Sequence, residues 1–120
     1  MEISSNLVFI AEDDKVTRFL MKRLFDGFPY LDVRFFENAG LLKEALKTEI
    51  PETIIMDVNM PEMDAYQFLE DHTIGEDNFY LMLGAPLKEE KMQWFRDQGC
   101  KGFLEKPLNK SKLEPLFNRG

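Results

Sequence analysis

The sequence predicts a doubly wound α/β domain, with five parallel strands in one sheet and helices on both faces. Three observations predict it. Short apolar runs alternate with helical patterns five times along the chain, and such alternation implies a parallel sheet covered on both sides. The β-branched run Thr53-Ile54-Ile55-Met56 stops abruptly at Asp57, as a strand buried on both faces does where a loop begins. Charged residues also end the other strand candidates: Glu12 and Asp13 follow the first, and Lys106 follows the last. In open α/β sheets that edge is where ligands bind.

Leu7 to Ala11 is the first buried strand, and Glu12-Asp13-Asp14 follows. Asp14 is placed to cap a helix. Val16, Leu20, Leu24 and Phe28 recur at fourfold spacing with Phe19 beside them, which predicts the buried stripe of that helix. Gly27 and Pro29 end it. Val33 to Glu37 is a weaker strand, expected toward the sheet edge. Asn38 caps a second helix whose apolar face is Leu41, Leu42, Ala45 and Leu46, and Pro51 closes that helix ahead of the central strand.

Pro61 denies a backbone donor and biases Met60 away from helix, so Asp57 opens a loop. Ala65 to Asp71 is a short helix with Phe68 and Leu69 inward, and residues 75–78 form a loop. Phe79 to Leu83 is the fourth strand, broken by Gly84-Ala85-Pro86. Leu87 to Gln98 is helical, with Met92 and Phe95 on one face and Gly99 as its C-terminal cap. Gly102 to Glu105 is the fifth strand. A last helix starts near Asn109 and carries Pro115 in its interior, where proline costs about 3 kcal/mol relative to alanine; a kinked or short helix is expected.

The 120 residues suit one domain with one core. No apolar run approaches the roughly 20 residues of a bilayer helix, and no basic region precedes an apolar stretch as in a secretory signal. Cys100 is the only cysteine, which excludes an internal disulfide and a cysteine-rich zinc site. These absences favour a cytoplasmic location. The net charge of −7 repels a phosphate backbone and argues against direct nucleic-acid binding.

Carboxylates brought together at one sheet edge repel each other and raise each other's pKa. A hard divalent cation relieves that repulsion. Mg²⁺ prefers oxygen ligands, takes one or two carboxylates and keeps waters, and Glu12, Asp13 and Asp57 fit it. The lone His72 sits at a helix end and is expected at the surface. A carboxylate is also a nucleophile toward phosphorus, and a lysine such as Lys106 neutralises the transferring oxygens. Each feature alone has an ordinary explanation as a turn former, a loop or a helix cap. Their joint placement at the ends of strands 1, 3 and 5 points to a site.

The segments Glu12-Asp13-Asp14, Asp57-Val58-Asn59-Met60-Pro61-Glu62-Met63-Asp64 and Lys106-Pro107, in this order and spacing, resemble the receiver domain of two-component response regulators. The likeness runs over nearly the whole chain, so that residues 1–120 are expected to be one receiver domain. It implies a flavodoxin-like sheet of order 2-1-3-4-5 with five helices. It implies that Asp57 accepts a phosphoryl group from a sensor histidine kinase or phosphotransfer protein. Asp13 would then bind Mg²⁺ directly, Glu12 through water, and Asn59 through its backbone carbonyl, while Lys106 pairs with the phosphoryl or carboxylate oxygens. The resemblance also implies a module that gains and loses its own phosphoryl group and is not an enzyme acting on a separate substrate.

At one switch position the chain departs from the family. Gly84 stands where Ser or Thr is usual, so no hydroxyl is present to bond a phosphoryl oxygen; the aromatic switch position is Phe103, which also lacks a hydroxyl. The family's usual docking face, helix 4 with strand 5 and helix 5, would meet an output domain or effector, and Trp94 lies near it. The short last helix is compatible with an output domain beyond it or with a complete single-domain regulator. Two other classes compete. One is a binding module that no longer uses phosphate, which Gly84 favours. The other is a metal-dependent phosphatase with an aspartate nucleophile. It usually carries a second acid two residues on, where this chain has Asn59, and it needs a cap that 120 residues scarcely provide.

Overall fold

The computed structural model describes residues 2–75 and 78–117. Strands and helices alternate: β1 (Ile3–Ala11), α1 (Lys15–Phe25), β2 (Asp32–Phe36), α2 (Ala39–Ala45), β3 (Ile50–Asp57), α3 (Ala65–Asp71), β4 (Asn78–Leu83), α4 (Glu89–Asp97), β5 (Cys100–Glu105) and α5 (Lys110–Phe117). All neighbouring strands are parallel, in the order β2-β1-β3-β4-β5. β2 is therefore an edge strand and β3 is central, as the sequence predicts.

Side-chain alternation along the inner strands divides the core into two layers. Phe9, Ile54, Met56 and Leu81 face one side, where they pack with Leu42 of α2, Phe68 of α3 and Phe95 of α4. Val8, Ile10, Ile55 and Met82 face the other, against Met21 and Phe25 of α1 and Leu113 and Phe117 of α5. With both faces covered, the inner strands are apolar on both sides, which is why they read as continuous runs.

The face of α1 differs from the predicted one. Val16, Phe19 and Leu20 are 64%, 57% and 55% exposed, while Met21 and Phe25 are buried. Fourfold spacing drifts by about 40° per step on a helix of 3.6 residues per turn, so the Val16-to-Phe28 series does not define one stripe. Aromatic contacts fix the rotation instead: Phe25 meets Phe28, Phe35 and Phe117 with ring centroids 6.0, 6.4 and 5.7 Å away. Phe28 is buried, but beyond the helix end. On α2, Leu42 is buried as expected and Leu41 is exposed.

Pro51 does not close α2, which ends at Ala45; it lies buried near the start of β3, opposite Ser4, a position where a strand tolerates proline. Strands β1, β3 and β5 begin earlier than their apolar runs. Residues 76 and 77 of the expected loop lie outside the described residues, and Asn78 already belongs to β4. His72, expected at the surface, is partly buried and packs on Phe68 with ring centroids 5.0 Å apart. Gly99 follows α4 at φ 108°, the left-handed region that favours glycine. Pro115 is inside α5, which nonetheless continues to Phe117; burial of Leu113 and Phe117, four residues apart, holds the turn that proline weakens.

Candidate functional site

Right-handed crossovers place every strand's C-terminal end on one edge of the sheet. β1 ends at Ala11, directly before Glu12 and Asp13; β3 ends at Asp57; β5 ends at Glu105, directly before Lys106. The carboxylates of Glu12, Asp13 and Asp57 each offer an oxygen within 4.8 Å of the others. Glu12 is fully buried, Asp57 is 6% exposed and Asp13 is exposed.

Backbone and side-chain bonds hold this group in place. The Glu12 N–H donates to Phe36 O (3.0 Å), tying the end of β1 to β2. The Asp14 N–H donates to Glu12 Oε2 (3.2 Å), and Asp14 itself caps α1 by accepting from Thr17 N–H (2.8 Å) and Thr17 Oγ1 (2.6 Å). Those bonds hold the Asp14 carboxyl below its ordinary pKa. Asp57 Oδ1 accepts the backbone N–H of Asn59 (3.3 Å). The loop beyond is closed by Val58 N–H to Met82 O (3.1 Å) and Ala65 N–H to Val58 O (3.1 Å). Asp64 and Gln67 form a capping box on α3.

Lys106 completes the constellation. Its ammonium donates to Asp57 Oδ2 and lies 2.5 Å from Glu12 Oε1, while its backbone N–H donates to Leu83 O (2.9 Å). The Lys106–Pro107 peptide bond is cis. Burial opposes the ammonium charge, but the bonds to Asp57 and Glu12 outweigh it and hold Lys106 above its ordinary pKa. Glu12 is pushed up to about 7: desolvation is the largest cause, the Lys106 bond opposes it, and the Asp57 charge adds to it.

This is an oxygen-only donor set with a buried glutamate whose ionised form burial and the Asp57 charge disfavour and a neighbouring cation favours. It matches a hard divalent ion such as Mg²⁺ and not a thiolate- or imidazole-loving metal. One participant escaped the sequence reading. Arg18 of α1 donates from Nη1 to Glu12 O (2.7 Å). Its only sequence cue is that it lies one turn past the Asp14 cap.

Gly84 follows β4 and is exposed, and a β-carbon there would have nothing within 4 Å. Phe103 is partly buried, 6.4 Å from the Phe95 ring, with the Arg96 guanidinium 5.6 Å above it. Trp94 is 39% exposed and also packed, with Tyr66 and Phe95 at 5.3 and 5.1 Å.

A doubly wound sheet of this order, with acids and a lysine gathered at its carboxyl edge, is the arrangement the resemblance to receiver domains leads one to expect. The model of the response regulator receiver domain matches residues 8–118, and the chain belongs to that family. Receiver domains bind Mg²⁺ at an acidic pocket and interact with histidine kinases, phosphotransfer proteins and output domains. An uncharacterized 14.6 kDa protein in the sodA1 3' region of Leptolyngbya boryana is 28% identical over 115 residues, covering 93% of this chain and 87% of that protein. Response regulator Rre1 of Synechocystis is 24% identical over 113 residues; the match takes in 91% of this chain and 48% of the relative, so the chain spans about half of that protein's length. A CheY-like receiver domain from Methanospirillum hungatei superposes with a TM-score of 0.81 at 20% identity, over 96% of this chain and 92% of the other. Among the described residues, no helix is long and apolar enough to cross a membrane.

Proposed function

We propose that this chain is a single receiver domain, working in the cytoplasm, that accepts a phosphoryl group on Asp57 and alters partner binding as a result. The observation that carries the reading is the convergence of Glu12, Asp13 and Asp57 with the Lys106 ammonium. A carboxylate oxygen of Asp57 attacks the phosphorus of a phosphohistidine on a sensor kinase or phosphotransfer protein. The P–N bond breaks, its electron pair leaves with the imidazole, and the imidazole takes a proton from water. Lys106 then pairs with the oxygens that gain charge. Asp13 would hold Mg²⁺ directly, Glu12 through water, with Asp57 and the Asn59 carbonyl completing the protein ligands. When bound, the ion neutralises the carboxylates and the phosphoryl oxygens.

The test is incubation with Mg²⁺ and acetyl phosphate followed by intact mass measurement. One added phosphoryl group is expected on the native chain and none on Asp57→Asn. No gain, or an equal gain in the variant, overturns the reading.

Gly84 favours a second reading, a phosphate-independent interaction module. That module would keep its partner affinity in Asp57→Asn and would not need Mg²⁺.

A further inference from the structure

The elements that reach the Asp57 site with side chains are unevenly distributed. The end of β1 supplies Glu12 and Asp13, α1 supplies Arg18, β3 supplies Asp57, and β5 supplies Lys106. The segment joining β4 to α4 begins Gly84-Ala85-Pro86, three exposed residues without a polar side chain. What ties β4 to the site is backbone: Leu83 O accepts from Lys106 N–H, and Met82 O accepts from Val58 N–H. Those bonds do not depend on the charge of Asp57. A chemical change shifts a conformational equilibrium only by its differential interaction with the two states, and no side chain at 84–86 can provide one.

Lys106 offers the opposite case. Its ammonium bonds Asp57 and Glu12, while its side chain lines a groove of about 260 Å³ shared with Leu20, Met21 and Leu24 of α1 and with Pro107 and Leu108. On the other side it lines a smaller pocket of about 110 Å³ with Leu83, Gly84, Ala85 and Pro86, none of which has a polar side chain to engage it. Lys112 of α5 clamps the same turn, donating to Glu105 O (2.8 Å) and Pro107 O (3.0 Å). Any displacement of the ammonium therefore alters the wall of a groove between α1 and the turn that leads into α5.

We propose that a change of charge at Asp57 is transmitted through Lys106 to the groove between α1 and residues 106–108, and not to α4. This rests on the phosphoryl-acceptor reading and specifies how that site is read out. Gly84 is the residue that silences the α4 side. Its open surroundings leave a β-carbon nothing within 4 Å, and its φ lies outside the left-handed region, so a larger residue is not strained there by its backbone.

The experiment compares the full chain with Gly84→Thr, each with Mg²⁺ and with or without acetyl phosphate. The adduct is quantified by intact mass, hydrogen exchange is followed peptide by peptide, and emission is recorded from Trp94, the chain's single tryptophan. In the native chain, adduct formation is expected to change exchange at least twofold in peptides spanning 15–25 and 106–109. Exchange in 89–97 and Trp94 emission should stay unchanged. Gly84→Thr, carrying the same adduct, should add a response in α4 and in Trp94. A native α4 response as large as that of Gly84→Thr overturns the proposal, as does an adduct that leaves 15–25 and 106–109 unchanged. Failure to form an adduct at all removes the acceptor reading and this proposal with it.

Discussion

Lys106 bonds Asp57 across 49 residues of chain, joining the C-terminal ends of β5 and β3. In the absence of a metal the lysine is the cation that keeps Asp57 and Glu12 together. Breaking a buried ion pair by removing one partner typically costs 3–5 kcal/mol. The Lys106 side chain is 23% exposed, so Lys106→Met should cost less, about 2 kcal/mol in chelator-treated protein. Urea denaturation measures this, and an unchanged midpoint would mean that the bridge contributes nothing to stability.

Magnesium should act on the same repulsion. At a hundred times its dissociation constant a ligand specific to the native state stabilises by about 2.7 kcal/mol. Thermal unfolding in chelator and in excess Mg²⁺ should differ accordingly. Asp13→Asn should remove most of that difference while leaving the metal-free transition in place, because Asp13 is exposed. A full Mg²⁺ shift in Asp13→Asn would exclude it as a ligand.

The face of α1 gives a paired prediction. Met21→Ala removes a side chain that is 2% exposed and should cost about 2–4 kcal/mol. Leu20→Ala removes one that is 55% exposed and should stay within about 0.5 kcal/mol. Equal losses in denaturant titrations would contradict the helix rotation described above.

That pair marks where the sequence was legible and where it was not. The strands β1, β3 and β4 announced themselves because burial on both faces leaves an unbroken apolar run. The convergence was legible because Asp57 cuts off such a run, Glu12 and Asp13 follow another, and Lys106 follows the last strand; parallel topology then brings these strand ends together. The rotation of α1 was hidden because it carries more apolar residues than one stripe can hold, and contacts from Phe35 and Phe117, distant in sequence, choose among them. Arg18 was hidden because its partner is a backbone carbonyl, and a carbonyl leaves no trace in residue type.

Gly99 tests the junction of α4 and β5. It has φ 108°, and a β-carbon would stand 3.1 Å from Ile74 Cγ2. Gly99→Ala combines left-handed strain with that contact and should cost roughly 1–3 kcal/mol. A urea midpoint equal to that of the native chain would show that the loop relaxes freely.

Cys100 is 5% exposed and its thiol donates to Gly102 O (3.2 Å). Burial pushes the thiol above its ordinary pKa of 9.0, so the thiolate needed for thiol–disulfide exchange is scarce in the native state. A disulfide reagent at pH 8 should modify the native chain far more slowly than the urea-unfolded chain. The folded thiol holds its proton after the unfolded one has lost it. Stability from this group is therefore intact below pH 9.0 and declines as pH rises beyond it. Cys100→Ser should flatten that alkaline decline; an unaltered slope would assign the decline to other groups.

Helix α1 bears Lys15, Arg18, Lys22 and Arg23 and no acid, on a chain whose net charge is −7. The molecule is thus electrically lopsided. A nearby anionic body exerts a torque on the domain that turns its cationic flank toward that body, within about 10 Å at 0.1 M ionic strength. Association on that flank would gather speed in dilute buffer and slow as salt is added, whereas unimolecular events inside the domain would ignore the salt.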